Sequence, residues 1–373
     1  MARLPAGMTR RKDGKIMNRF TIQGKRYTVY GATAKECREK ELQKREKVAA
    51  GLYKSGKSLT VEEYAERWIE GKRGTVKETT IRLNRILFNR ITETAIDEAG
   101  TRFGALKIDQ VEPQNVRDLQ AALKSELCTR TINDITALLK SMFNSAVQER
   151  ILLWNPAAGI KPLKRTEERA RDTIHRALTR EETRDFLEAA ADSWYYPLYV
   201  FLLNTGLRVG EAGALTAADF TRQGVKVCKT ITRTECGGYR IGTEAKTAAG
   251  MRYVPMSEAA RAALDDQKAI NAAIRGDRII ELQRPVFTAP RGGLLKSECI
   301  NKDIEKACRA AGVDRFSVHA FRDTFATRCV ESGMPPKTLM EIMGHSDINM
   351  TLGLYAHAMD DTKEKQLKAV NFV

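Results

Sequence analysis

The chain has 373 residues, more than one hydrophobic core ordinarily serves, so two or three domains are expected. Hydrophobic residues make up 42% and charged residues 29%, which excludes a disordered chain. No uninterrupted apolar run approaches the roughly 20 residues of a membrane helix, and the formal charge of +16 (63 Lys and Arg against 47 Asp and Glu) suits a polyanionic partner.

The charge is concentrated at one end. Residues 1–57 hold 16 Lys and Arg against 5 Asp and Glu, a net +11. Met1 to Lys15 lacks an apolar signal core, which speaks against secretion. Two β-prone runs, Gly14 to Ile22 and Lys25 to Tyr30, flank Gln23-Gly24, and Thr33 to Ala50 is rich in helix formers. We expect a small three-stranded sheet on one helix. One sheet face is expected to carry Arg10, Arg11, Lys12, Lys15, Arg19, Lys25 and Arg26 with Phe20, Tyr27 and Tyr30. Such a face is either a strand-based DNA reader, of which Arg10, Arg11, Lys12, Arg19, Lys25, Arg26 and Tyr27 are the candidate contacts, or a solubilising basic hairpin over ordinary core aromatics.

Gly51 to Lys57 reads as a linker, and a second piece opens at Ser58. Thr60 and Glu63 have capping-box spacing, followed by Val61, Tyr64, Ala65, Trp68 and Ile69 at helical intervals. Further helices are expected at Thr79–Thr94, Val111–Leu127 and Thr131–Glu149. The last carries an apolar stripe of Ile132, Ile135, Leu139, Met142, Phe143 and Ala146. A bundle of four or five helices results, with Arg82, Arg85, Arg90, Arg130 and Lys140 as basic residues that either face DNA or are simply solvated. Lys161 to Asp172 is polar and aperiodic and reads as a connector.

In the third piece, Leu178-Thr179-Arg180-Glu181-Glu182 again signals a helix start, and Tyr195 to Asn204 reads as a buried helix. Val225–Ile231 and Arg252–Pro255 read as strands, with a further hairpin at Gly237-Gly238, and the chain is mostly helical from Glu258. The seven cysteines are scattered, without a CxxC, as in a reducing compartment; no zinc cluster is expected.

Four local patterns bear on chemistry. Arg208 follows an apolar run and a Gly turn, with Glu211 three residues on, placed to orient it or merely to pair with it. Lys246 lies in a small-residue turn flanked by strands, where an ammonium can reach outwards. His319 and Arg322 are three apart, on one face of a helix, with Phe321 and Phe325 for its buried side. Pro335-Pro336 starts a helix that Gly344 is placed to end, which sets His345 just past a terminus, fixed but exposed; Tyr355 follows ten residues later.

Taken in order over residues 175–360, Arg208, Lys246, His319-x-x-Arg322, His345 and Tyr355 resemble the active-site series of the tyrosine recombinase (phage integrase) family, with no departure at those six positions. The helical piece resembles the family's core-binding domain, and the basic sheet resembles the arm-binding domain of integrases from conjugative transposons and temperate phages. The resemblance implies an α+β chain, mainly α with small β-sheets. Its parts would be an arm-type DNA-binding domain at 1–57, a core-binding bundle at 58–160, a linker at 161–174 and a mixed, mostly helical catalytic domain with a C-terminal tail at 175–373.

It also implies roles. Arg208 and Arg322 would grip the non-bridging oxygens of a phosphodiester with fixed, bidentate donors, and His345 would add another. Tyr355 would be the nucleophile, a phenol of pKa near 10 that needs help at neutral pH; His319 would steer its proton and Lys246 would protonate the leaving 5′-oxygen. Glu211 would brace Arg208. The product would be a 3′-phosphotyrosyl link that keeps the bond energy, so neither metal, ATP nor any other cofactor is expected. The partners implied are double-stranded DNA at core and arm sites and three further copies in a tetramer, with an excisionase and a host DNA-bending protein as further candidates, in the cytoplasm of a bacterium at its nucleoid. A C-terminal tail from Lys363 would either dock on the neighbouring protomer or close its own domain. A chromosome-dimer resolvase, a type IB topoisomerase-like strand transferase and a catalytically silent DNA-binding regulator are the competing readings; His175 and His357 receive no role.

Overall fold

The computed structural model describes residues 4–5, 7–11, 13–22, 25–49, 59–164, 176–242, 251–275 and 284–358. It divides into two compact units, residues 1–170 and 171–373. Among the described residues, no helix is long and apolar enough to cross a membrane.

The N-terminal segment forms an antiparallel sheet of β1 (Met8–Arg10), β2 (Ile16–Ile22) and β3 (Lys25–Gly31), in that order, with α1 (Ala34–Ala49) against it. Met8, Ile16 and Cys37 make its small core, and the Asn18 side chain donates to Glu41 on α1 at 2.7 Å. The pleat corrects the single-face expectation. Phe20 pairs with Tyr27, while Arg19 pairs with Thr28, Thr21 with Arg26 and Met17 with Tyr30. Because strand side chains alternate, Phe20 and Tyr27 share the face that meets α1 with Arg10, which pairs with Ile16, and Arg19, Arg26 and Tyr30 share the other. Phe20 and Tyr27 stack 6.0 Å apart, with Arg45 over the first ring and Lys44 over the second, so Tyr27 is withdrawn from the basic face. Arg10, Arg11, Arg19 and Arg26 are exposed; Lys12 and the Lys25 side chain lie outside the described residues.

The helical piece contains α2 (Val61–Gly71), α3 (Glu78–Glu93), α4 (Pro113–Leu123) and α5 (Thr129–Gln148). The Thr60–Glu63 capping box forms with both of its hydrogen bonds. The expected stripe of α5 is buried throughout and packs with Tyr64, Trp68, Ile91 and Phe103. Three polar ties set the helices in register: Tyr64 donates to Glu149 at 3.0 Å, Trp68 Nε1 to Ser145 at 2.8 Å and Gln120 to Thr136 at 3.0 Å. Lys140, considered for DNA from sequence, instead donates to the Ile160 carbonyl at 2.7 Å, and Arg90 pairs with Glu126 at 2.9 Å.

The second unit is built on α6 (Arg180–Ala189), capped by Thr179 and Glu182, and α7 (Tyr196–Thr205), which its apolar sequence buries. Phe186, Tyr199, Phe316 and Phe321 form an aromatic cluster with centroids 4.9–5.6 Å apart. After α8 (Val209–Ala212) the expected strand Val225–Ile231 is two strands, β4 (Gly224–Val227) and β5 (Thr230–Arg233). β5 pairs with β6 (Tyr239–Gly242) around Gly237, whose φ of 84° suits a hairpin turn, and β4 pairs with β7 (Arg252–Pro255). The strands flanking Lys246 therefore do not pair with each other. Next come α9 (Glu258–Arg275), α10 (Ser297–Ala311), α11 (His319–Glu331), α12 (Pro336–Met343) and α13 (Ile348–Ala358).

Candidate active site

The site is set by two helix endings. α7 stops at Gly206, whose φ is 63°; a Cβ there would meet the Phe325 ring at 2.3 Å, so glycine is required on both counts. The sharp exit puts Arg208 at the N-cap of α8, where its backbone N–H donates to Glu211 Oε2 at 2.9 Å and its Nη1 to Glu211 Oε1 at 3.0 Å. The Gly206 carbonyl accepts from Arg322 Nη1 at 2.7 Å, and Arg322 Nη2 donates to the Met343 carbonyl, near the end of α12. Gly344 ends α12 with a φ of 63°. His345 follows it, and its Nδ1 lies 2.9 Å from Thr351 Oγ1 on α13.

These side chains differ in access. Arg322 is 2% exposed, whereas the Arg208 side chain is 41% exposed and presents the cluster's charge to solvent. Burial first, then the charge of Arg208, lowers the Arg322 pKa to about 9, still cationic at neutral pH. His345 is buried, not exposed as its place after a helix terminus suggested, because the start of α13 folds over it. Burial, followed by the charges of Arg322, Arg208, Arg252 and His319, lowers its pKa to about 4, so the ring is neutral. If Thr351 donates to Nδ1, the other nitrogen carries the proton and can donate to an oxyanion.

Glu211 is buried beneath this group. Burial alone would raise its pKa, but Arg252 and Arg208 outweigh that and hold the carboxyl below its ordinary value. The Arg252 side chain, 6% exposed, clasps Glu211 with two nitrogens at 3.1 and 2.8 Å and donates from Nε to the Ile342 carbonyl at 2.6 Å. Cutting one partner from such a pair typically costs ~3–5 kcal/mol. Sequence reasoning missed Arg252, although a signal existed: it is two residues from buried Val254 on a strand, so alternation turns it inwards, where a guanidinium needs a carboxylate. Thr351 was also missed; four residues before Tyr355 on one helix, it shares that residue's face.

His319 opens α11. It is half-exposed, 3.8 Å from Asp323, and lines an open cleft of about 670 Å³ with Val209, Ser297, Asn301 and Ser317. The structure thus gathers Arg208, Glu211, Arg322 and His345, with His319 at the edge. It does not bring Tyr355 to the arginines. The phenol donates to the Met334 carbonyl and packs among Ala326, Cys329, Leu339 and Met343. Arg322 is on the first turn of α11 and Cys329, against which the phenol packs, is near its last, roughly 10 Å further along the axis at 1.5 Å per residue. Burial, with Cys329 beside it, pushes the phenol's pKa up. Lys246, His175 and the tail from Lys363 lie outside the described residues.

His345 gives a pH prediction. The folded chain refuses a proton that the unfolded chain accepts below the ordinary value of 6.5. Its contribution is therefore complete above that pH and is lost as pH falls towards the folded value. Urea unfolding of the DNA-free protein should show a loss on the order of 2 kcal/mol over this window that is absent in His345→Gln.

Two guanidinium groups and a neutral imidazole converging at a carboxylate-braced helix start define an oxyanion-binding, phosphoryl-transfer type of centre. The model of the phage integrase family matches residues 176–362, half of the chain, and the chain belongs to that family. It is a tyrosine recombinase. The transposase of transposon Tn916 from Enterococcus faecalis is 28% identical over 99% of this chain and 95% of its own length. A XerC-like tyrosine recombinase from Caldanaerobacter subterraneus is 27% identical over 96% of this chain and 97% of its own. Among solved structures, a Tn1549 transposon integrase in complex with circular intermediate DNA matches with a TM-score of 0.67, at 27% identity over 84% of this chain and all of that one. A λ integrase tetramer bound to a Holliday junction shares the fold, with a TM-score of 0.57 at 18% identity over 95% of this chain and 96% of that one.

Proposed function

We propose that this integrase cuts and rejoins DNA through a 3′-phosphotyrosyl intermediate, integrating and excising a mobile element without metal or ATP. The observation that carries this is the convergence of Arg208, Arg322 and His345 on one place. Arg208 and Arg322 hold the non-bridging oxygens of the scissile phosphate, and neutral His345 donates a third hydrogen bond. Tyr355 attacks phosphorus, His319 takes or steers its proton, and Lys246 protonates the 5′-oxygen that leaves. A 5′-hydroxyl entering by the same route reverses the step. For Tyr355 to act, α13 must carry the phenol away from Met334.

The parts act as an arm-binding domain at 1–57, a core-binding bundle at 58–160 and a catalytic domain from 175, joined by the 161–174 linker. Four copies would work on two DNA sites, as the λ integrase tetramer on a Holliday junction suggests. An excisionase and a host DNA-bending protein would set direction. Arg11, Arg19 and Arg26 serve arm DNA from the open face, with Arg10 exposed on the α1 side of the sheet and Tyr27 buttressing the sheet instead of contacting bases.

Incubating the protein with nicked DNA duplexes, trapping with SDS and mapping the adduct tests the reading. DNA joined through its 3′-phosphate to Tyr355, in yield unchanged by EDTA, supports it; loss on chelation, or an adduct elsewhere, overturns it. Deleting residues 1–57 should leave this cleavage intact. It should flatten the dependence of log affinity on log salt by about one unit for each phosphate that the protein no longer neutralises, read by fluorescence titration.

A further inference from the structure

One carboxylate, Glu211, serves two guanidinium groups, and it serves them unequally. The Arg252 guanidinium gives it two nitrogens and is itself buried, while the Arg208 guanidinium gives it one, Nη1, beside the Arg208 backbone N–H, and stays open to solvent. Arg252 has a second hold on the site. Its Nε donates to Ile342, and its guanidinium lies so close under Gly344 that a Cβ there would meet it at 2.8 Å. That is the residue before His345. Arg252 also pairs with Val227, which joins its strand to the body of the second unit.

We propose that Arg252 is a positioning residue for DNA cleavage, taking up the Glu211 carboxylate so that Arg208 remains free for the phosphate and fixing the turn that presents His345. Charge balance gives the reason. With Arg252 in place, the cluster of Arg208, Arg322, Arg252 and Glu211 carries a net two positive charges to meet an anion. Without it, a buried carboxylate has only Arg208 to satisfy it, and a buried anion draws its remaining partner in fully. Arg208 would then close onto Glu211 and withdraw from DNA. On this account the harm comes from the carboxylate left behind, so removing that carboxylate as well should undo part of it. A residue that merely filled space would behave in the opposite way, each loss adding to the other.

The inference rests on the cleavage chemistry proposed above, and the test separates the two. A nicked duplex is first selected from a random-sequence pool by covalent capture on the wild-type full-length chain. If the wild type captures no duplex, the cleavage reading fails and this inference falls with it. On the captured duplex, Arg252→Gln should cleave about 100-fold more slowly than wild type, in line with losing one well-placed donor. Arg252→Gln combined with Glu211→Gln should recover about tenfold of that loss. Arg252→Lys, which keeps the cation but not the fork, should fall between. Wild-type cleavage by Arg252→Gln, or a double variant no faster than the single one, overturns the proposal. Should Arg252→Gln lack a native circular dichroism spectrum, Arg252→Lys carries the comparison. A rate about tenfold below wild type with unchanged DNA affinity supports the proposal, and an unchanged rate overturns it.

Discussion

Tyr355→Phe is expected to eliminate the SDS-resistant DNA adduct while leaving equilibrium DNA binding near the wild-type value. The change removes one oxygen. That oxygen is the atom proposed to bond phosphorus, and Tyr355 is the only tyrosine after residue 253, so no neighbour in the same region can replace it. In the structure the hydroxyl faces Met334, not the arginines that would hold DNA, so its loss leaves the anion-binding groups as they are. The stability cost is confined to one partly buried hydrogen bond, about 0.5–1.5 kcal/mol, which a thermal melt would detect. An adduct persisting in the variant would move the nucleophile elsewhere. The seated phenol bears on rate as well. Burial raises its pKa, so it waits protonated, and cleavage should need α13 to move before chemistry begins.

What could be read from the sequence follows from which forces are local. Thr60–Glu63 and Thr179–Glu182 were legible because a cap is decided within four residues, and the α5 stripe because helical period and burial coincide. Gly206 and Gly344 were legible as helix stops for the same reason. The break between β4 and β5 was not, because Cys228-Lys229 carries no turn residue; the two halves separate because they pair with β7 and β6, partners decided far along the chain. Tyr27 leaves the basic face because strand alternation, not local charge density, decides which side of a sheet a residue takes. His345 looked exposed because a residue beyond a helix end usually is, and only the return of α13 covers it. Arg252 escaped because its carboxylate is 41 residues away in sequence. Ion pairs of that reach are written in the fold, and a strand shows only that the side chain points inwards.

Arg322→Lys is expected to slow strand cleavage by about 10²–10³-fold, far more than a change between two cations suggests. The arginine uses its fork twice over within the protein, one nitrogen on the Gly206 carbonyl and another on that of Met343, which ties the α7 ending to the α12 ending. An ammonium is a single point and cannot span both, so one buried carbonyl loses its donor, at about 1–3 kcal/mol of stability. The charge suffers too. Burial and Arg208 bring the arginine to about 9. A lysine begins about two units lower, and the same burial and neighbouring charge push it further down. It therefore gives up its proton more readily than the arginine it replaces. The sign is fixed: the variant's deficit should shrink as pH is lowered from 8 to about 6, where the ammonium is charged, and grow as pH rises. Wild-type arginine stays charged across that range and should show no such slope from this group. Single-turnover cleavage across this pH range measures both effects, and a deficit independent of pH would mean that the lost fork alone, not the lost charge, sets the rate.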